Sequence, residues 1–283
     1  MKMMSFCERK NTVESPYYRT EAVCPGVTRI RCRVGEMCYL VEGSERAVLI
    51  DTASGYRGLP ELAAELTSLP VTVVLTHGHR DHAGGAALFP QVYAHMGDWD
   101  LLEQLTDEEF RTGYPKALKP KRFAGLGTEE FPRLYETEFL PLANGQRFEL
   151  GDTSLEVWET PGHTTGSVCL YDTARRILFA GDTVLRCALL VFEQSLPVAE
   201  YLSTLQWLYS RREAFDHVYG SHFEGEVPED GMERLMDCCR EILAGEDEHV
   251  PSRMFRRDCF AAHRPAEELT LRADGQWGNI FYK

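Results

Sequence analysis

The sequence lacks any apolar run long enough to cross a membrane, and its first residues contain no apolar stretch of the length found in secretion signals. Its nine cysteines are odd in number and show no CxxC spacing. Basic residues are scarce: 30 Lys and Arg stand against 44 Asp and Glu, giving a net charge of −14. We therefore expect a cytoplasmic protein with reduced thiols that does not bind membranes. We also expect that nucleic acid is not its main partner, because phosphate binding depends on Lys and Arg.

Length and residue order are those of a globular α/β enzyme. The chain has 283 residues, of which 43% are hydrophobic, and predicted strands alternate with predicted helices along it. We predict a single domain over residues 1–283, with hairpins that turn at Gly151-Asp152, near Asp172 to Arg175 and around Asp274-Gly275. Residues 97–140 interrupt the strand pattern with a long, charged and aromatic stretch, which we predict to be a lid insertion over the site or an interface.

Histidine is concentrated in one short window, THGHRDHAGG, at residues 76–85. His77 ends VTVVLTH, a β-branched run that predicts a buried strand, and His79, Asp81 and His82 follow it. A hydrophobic core rarely takes three imidazoles so close together, because each ring carries two polar nitrogens that need partners. Imidazole and carboxylate are common ligands of zinc and similar cations, so the window indicates a metal site.

Three later stretches offer further ligands at predicted strand ends. His163 lies in ETPGHTTGS, Asp182 in FAGDT and His222 in GSHFEG, each within two residues of a glycine that allows close backbone approach. Together with the first window they make five histidines and two aspartates. This set is sufficient for two metals with open positions, or for one metal whose ligands are supported by the remaining residues.

The HxHxDH motif with its later His, Asp and His resembles the metallo-beta-lactamase superfamily over residues 51–222. The resemblance implies a four-layer αββα sandwich of two mixed β-sheets flanked by helices. It implies a first metal on His77, His79 and His163, and a second on Asp81, His82 and His222. Asp182 would bridge both metals. Asp51, in LIDT, matches an aspartate that orients a ligand; its alternative interpretation is a turn residue at a strand end.

The resemblance also implies the chemistry, a hydroxide shared by two divalent metals that cleaves an ester, thioester, lactone or related bond of a small molecule. We expect zinc, with iron or manganese as alternatives, and we expect Asp81 to hold the nucleophile and move its proton. Two alternatives stay open: a phosphodiesterase on the same binuclear site, and a persulfide dioxygenase-like oxidoreductase with one iron.

Substrate identity is not readable from the motifs. Hydroxyacylglutathione hydrolases are similar in ligands, but the stretch TVLRCALLVFEQS lacks their Gly-Cys-Gly-Arg/Lys pattern, and Leu185 stands where one lactonase branch has tyrosine. A dense basic run inside residues 97–140 either attracts an anionic substrate or forms a solvated face or dimer contact; it comprises Arg111, Lys116, Lys119, Lys121 and Arg122. The sequence leaves the substrate-binding residues and the oligomeric state unassigned.

Overall fold

The computed structural model describes residues 15–105, 137–223, 225–267 and 271–283. The basic run at 111–122 and most of the predicted lid therefore lie outside the described residues. The described ends of residues 97–140 contain a short helix, Trp99–Gln104, and a strand, Glu138–Pro141. The lid stays a prediction.

The first sheet of the described chain has seven strands in sequence order. Neighbours from β1 to β4 are antiparallel, and those from β4 to β7 are parallel. Its strands are β1 (Tyr18–Cys24), β2 (Val27–Cys32), β3 (Met37–Glu42), β4 (Ala47–Ile50), β5 (Val71–Val74), β6 (Gln91–Ala94) and β7 (Glu138–Pro141).

The second sheet described has the order β13-β11-β10-β9-β8 and is also mixed, since β11 and β13 are parallel and the other pairs antiparallel. The predicted hairpins at Gly151-Asp152 and at Asp172 to Arg175 join β8 to β9 and β10 to β11. The strands are β8 (Arg147–Glu149), β9 (Ser154–Glu159), β10 (Val168–Asp172), β11 (Ile177–Gly181) and β13 (His217–Gly220).

Helices fill the connections between strands. Gly245 ends the last helix in the left-handed conformation, with φ of 69°, as the glycine at that position predicts. The α-helices described are α1 (Leu59–Leu66), α2 (Arg80–Ala83), α3 (Trp99–Gln104), α4 (Val198–Tyr209) and α5 (Gly231–Ala244), and short 3₁₀ turns cover Ala86–Leu88, Met96–Asp98 and Arg212–Ala214. Among the described helices, none has the length and apolar character of a membrane span.

The two sheets and the helices enclose three buried apolar layers. One layer lies between the sheets, and one lies on the outer face of each sheet. Side chains such as Tyr39 and Ile50 of the first sheet meet Val157 and Phe179 of the second between the sheets. The outer face of the first sheet packs on α1 to α3, and the outer face of the second on α4 and α5. The four-layer αββα arrangement of two mixed sheets is thus confirmed.

A third sheet was not predicted. It has the order β12-β16-β15-β14, with β12 (Cys187–Leu190), β14 (Val250–Met254), β15 (Arg257–Ala261) and β16 (Asn279–Tyr282). The C-terminal strand pairs with β15 and β12, so the predicted terminal hairpin around Asp274-Gly275 is wrong: the turn forms, but no described strand on its N-terminal side pairs with β16 across it. This sheet packs around Val191, Cys259 and Phe281.

Candidate metal centre

The candidate ligands gather where parallel strands end. β4 and β5 are parallel neighbours in the first sheet, and β11 and β13 are parallel neighbours in the second. Asp51 follows β4, Asp182 follows β11 and His222 lies two residues after β13, so the carboxyl ends of both pairs contribute to one edge. A hydrogen bond of 2.8 Å from the Val168 amide to the Thr76 carbonyl joins the two sheets there.

Three imidazoles form the first triad, His77, His79 and His163. Nε2 of His77 lies 3.1 Å from Nδ1 of His79, and that same Nδ1 lies 2.9 Å from Nε2 of His163. His77 and His163 are almost fully buried. Three ring nitrogens therefore converge on one small space, and they belong to the three residues to which the resemblance assigns the first metal.

The second triad is Asp81, His82 and His222. Nε2 of His82 lies 3.2 Å from Nε2 of His222, which is 3.5 Å from Oδ2 of Asp81. Asp81 and His82 are placed by α2, a single helical turn that begins immediately after His79. The HxHxDH spacing thus sends its first two histidines to one triad and its last two members to the other.

Asp182 lies between the triads. Its Oδ1 is 3.4 Å from Nε2 of both His82 and His222, whereas its Oδ2 is 3.6 Å from Nε2 of His163. Oδ1 is buried and makes no hydrogen bond to the described residues. One carboxylate thus presents an oxygen to each triad, which is the arrangement a bridging ligand needs.

Hydrogen bonds behind the rings fix which nitrogen faces the centre. Nδ1 of His82 donates to Oδ2 of Asp51 at 2.8 Å, and Nδ1 of His163 donates to the Leu189 carbonyl at 2.9 Å. Asp51 is itself held by the Thr76 amide at 2.7 Å and adopts a left-handed φ of 64°. When His82 and His163 are neutral, these bonds place the proton of each ring on Nδ1. The lone pair on Nε2 of each ring is then directed into the site. The structure thus places Asp51 behind a candidate ligand, in the position that the resemblance implies.

The protonation equilibria of the two triads differ. Burial and the neighbouring imidazoles lower the pKa of His77 well below its usual value and that of His79 to about 3. Burial lowers the pKa of His82 and His222, but the surrounding carboxylates together outweigh it and raise both values; they are Asp182 and Asp51 at His82, and Asp182 and Asp81 at His222. Burial raises the pKa of Asp182, but the His222 and His82 imidazoles together outweigh it and hold the pKa well below its usual range, so that carboxylate is ionised.

These donors suit divalent cations. Converging imidazole lone pairs and an ionised carboxylate oxygen without a donor are costly when buried unless a positive charge joins them. The seven residues predicted as ligands all lie within this one cluster. Five histidine nitrogens and two carboxylates match the donor preference of zinc and of its first-row neighbours.

Sequence reasoning missed two residues that shape the centre. Asp98 is buried, and its carboxylate accepts hydrogen bonds of 2.7 Å from the Gly78 amide, the Gly166 amide and the Thr164 hydroxyl. It thereby joins the loop of His77 to the loop of His163. The Phe192 ring packs on His79 with centroids 4.6 Å apart. No spacing signal marks either residue, since their partners are distant in sequence.

A separate group of Cys238, Glu241 and His263 also brings possible ligand atoms together. Here Nε2 of His263 already pairs with Glu241 at 2.9 Å. The Arg272 guanidinium lies 3.9 Å from the Cys238 sulfur, and burial raises the pKa of that thiol to about 12. We assign no metal to this group because a fixed positive charge beside the sulfur opposes cation binding.

Comparison with known proteins decides the family. Residues 33–208 match the family model of the metallo-beta-lactamase superfamily. The chain belongs to the metallo-beta-lactamase superfamily. This confirms the predicted family and supports the predicted class, a metallo-hydrolase, while the number and identity of the metals stay predictions.

Among curated relatives, human acyl-coenzyme A thioesterase MBLAC2 is 32% identical over 192 residues, which is 60% of this chain and 66% of the relative. The matched part is thus just under two thirds of that relative's length. The beta-lactamase-like protein 2 homolog of Drosophila melanogaster is 28% identical over 211 residues, covering 65% of this chain and 63% of the relative.

Solved structures show the same fold. A metallo-beta-lactamase family protein from Thermus thermophilus has a TM-score of 0.53 and 24% identity, covering 79% of this chain and 82% of its own. A metallo beta lactamase from Erythrobacter litoralis has a TM-score of 0.57 and 17% identity, covering 82% and 100%. At these identities the likeness concerns the fold alone.

Proposed function

We propose that the chain hydrolyses acyl thioesters of coenzyme A with two divalent cations, most simply zinc. The position of Asp182 between the two triads carries the proposal, because one carboxylate within 3.6 Å of both sets of nitrogens suits a pair of cations. The thioesterase name of the human relative supports the choice of thioesters among the bonds such a centre cleaves.

The first triad with Asp182 would hold one cation, and the second triad with Asp182 the other. Two bound divalent cations supply an activated water at neutral pH and stabilise the negative charge that develops on the thioester carbonyl oxygen. The buried ligands would fix the positions of the two cations. The partly exposed Asp81 then remains within reach of a substrate.

Asp81 is the proposed catalytic residue. Its side chain keeps 31% exposure, and one carboxylate oxygen lies 3.5 Å from His222. Burial raises its pKa, but the His82 and His222 imidazoles outweigh that effect and lower it, so the group is ionised near neutral pH. We infer that its carboxylate orients the attacking water and accepts the proton that the water loses.

The reaction needs no protein nucleophile. Water adds to the thioester carbonyl, the bond between carbonyl carbon and sulfur breaks, and the products are a carboxylate and a free thiol. One proton of the water passes through Asp81 to the departing thiolate, and the other is lost to solvent from the new carboxyl group. The carbonyl carbon and the sulfur keep their oxidation states, which separates this proposal from the persulfide dioxygenase alternative.

The test is release of coenzyme A from acetyl- and octanoyl-coenzyme A by zinc-reconstituted protein, followed with a thiol reagent. We expect turnover that disappears on chelation and returns with zinc. Asp81→Asn is expected to lose at least about 100-fold in kcat, and the exposed-surface control Asp152→Asn to keep full activity. Hydrolysis of bis-p-nitrophenyl phosphate without any thioester cleavage would instead establish the phosphodiesterase alternative.

A further inference from the structure

A two-residue hairpin of the third sheet lies beside the first triad. Met254 is paired with Arg257, so Phe255 and Arg256 alone form the turn between β14 and β15. Both have left-handed backbones, with φ of 49° and 65°. Such turns normally take Asn, Asp or Gly, since other residues are strained there. A phenylalanine and an arginine in this turn indicate that their side chains serve a purpose at this position.

Two aromatic side chains connect the hairpin to the candidate metal ligands. Phe192 packs on the rings of His79 and His163 with centroids 4.6 and 5.7 Å apart. The Phe255 ring lies 5.4 Å beyond Phe192. The two phenylalanines therefore form an apolar wall, defined here as Phe192 and Phe255, which leads outward from the first triad.

Positive charge lies beside the wall. The guanidinium carbon of Arg257 lies 5.5 Å from the centre of the Phe192 ring. Arg256 and Arg257 are exposed, and within the described ranges neither forms an ion pair, whereas Arg253 faces Asp258 at 3.5 Å. In a chain with a net charge of −14, two adjacent uncompensated arginines beside the centre favour an anionic ligand.

We propose that this hairpin recognises the leaving thiol of the substrate. The neutral arm of coenzyme A lies along the Phe192–Phe255 wall, and its phosphates bind Arg256 and Arg257, since guanidinium groups pair with phosphate oxygens in bidentate geometry. Each part of the molecule then has a partner: the metal site for the thioester, the wall for the neutral arm, and the exposed arginines beside the wall for the phosphates. This assignment rests on the proposed thioesterase function.

Binding of two thioethers that cannot be hydrolysed tests the proposal. S-ethyl coenzyme A carries the phosphates and the adenosine, and S-ethyl pantetheine is the same arm without either; the arginine variants then separate the contribution of the phosphates from that of the adenosine. Calorimetry on the zinc-reconstituted full chain at about 50 mM salt, where charge contacts are weakly screened, is expected to give at least about tenfold tighter binding of the coenzyme A thioether. Arg256→Ser/Arg257→Ser is expected to reduce this preference to below about threefold.

The matched control is Arg240→Ser/Arg264→Ser, which removes two exposed arginines outside the hairpin and is expected to keep the full preference. The single variant Arg256→Glu changes the net charge by two units, as the double variant does, and should also reduce the preference. A wild-type protein without preference, or a preference that survives in Arg256→Ser/Arg257→Ser, overturns the assignment. Loss of preference in the hairpin variants without any acyl-coenzyme A turnover would support the hairpin and contradict the thioesterase proposal.

Discussion

The metal-ligand cluster and the β14–β15 hairpin lie side by side but obey opposite physical constraints. His77, His82 and His163 are at most 3% exposed, and their ring nitrogens are held by partners on several elements. Arg256 and Arg257 are exposed and make no ion pair among the described residues. Burial makes these three ligand positions intolerant of change, whereas an exposed turn accepts many side chains at small cost.

The family model also separates these two regions, since it matches most of the ligand cluster and does not reach the hairpin. The matched segment, residues 33–208, contains Asp182 and both triads except His222, and it ends before β14 and β15. Shared chemistry thus lies largely within the matched segment, and the proposed recognition element lies outside it. The comparison teaches where variation in substrate is to be sought: on the third sheet, which meets the ligands through the Phe192 ring and the Leu189 carbonyl.

The largest expected effect is at the carboxylate between the triads. Asp182→Ala removes the anion that offsets repulsion between two cations, so we expect at most about one tightly held metal and at least about 100-fold slower hydrolysis. Metal stoichiometry by mass spectrometry and thiol release provide the measurement. Asp216→Ala, at an exposed aspartate paired with Arg176, is the control and should change neither. Two metals and near-normal rate in Asp182→Ala would sink the bridging assignment.

A smaller effect on metal binding is expected at Asp51, which contacts the candidate ligand His82. Asp51→Asn keeps an oxygen near Nδ1 of His82 but removes the charge that orients the ring. We expect the affinity of the second metal to fall about 10–100-fold, and that of the first to change little. Competition with a chelator measures both. Asp152→Asn, whose exposed carboxylate accepts the Ser44 amide, is the matched control. An equal loss at both metals would show that Asp51 acts on the whole fold rather than on His82.

The two triads should also lose metal at different pH. The first triad has lowered pKa values, so its rings stay neutral as pH falls; His82 and His222 have raised values, so protons compete with the second metal already near neutrality. Equilibrium dialysis from about pH 8 to 5.5 is expected to show loss of the second metal before the first. In His222→Ala, the remaining metal should resist acid as the first one does. Simultaneous loss of both metals would contradict this order.

The ligand cluster was predictable because its information is local. The HxHxDH spacing and ligand residues at strand ends are visible in the sequence, and parallel pairing of β4 with β5 and β11 with β13 then brings these ends together. The four-layer fold followed from the resemblance that these residues carry. Asp98 escaped because its partners, Gly78 and Gly166, are 20 and 68 positions away, and a buried loop aspartate has no spacing of its own.

The third sheet was not predictable for a different reason. β12 pairs with β16, placing Cys187 beside Asn279, and strands so distant in sequence leave no turn signal that fixes their register. The turn at Phe255 and Arg256 also contradicts the residue preferences on which hairpin prediction depends. Sequence reasoning therefore placed the terminal hairpin around Asp274 and Gly275, where the glycine signal is strong.

The smallest expected effect tests whether the hairpin keeps strain for the sake of its side chains. Arg256→Gly relieves a left-handed backbone that costs an arginine about 1–2 kcal/mol, at an entropic cost of about 0.5–1 kcal/mol. We expect the free energy of unfolding to rise by about 0.5–1 kcal/mol while the preference for the coenzyme A thioether falls. Arg253→Gly removes the same charge from the interior of β14, whose backbone is extended, and should lower the free energy of unfolding by about 0.5–1 kcal/mol. Chemical denaturation measures both variants. Opposite signs of the two stability changes, with loss of preference in Arg256→Gly alone, are the expected pattern; a destabilised Arg256→Gly would show that the turn is held by contacts of the arginine itself and carries no relievable strain.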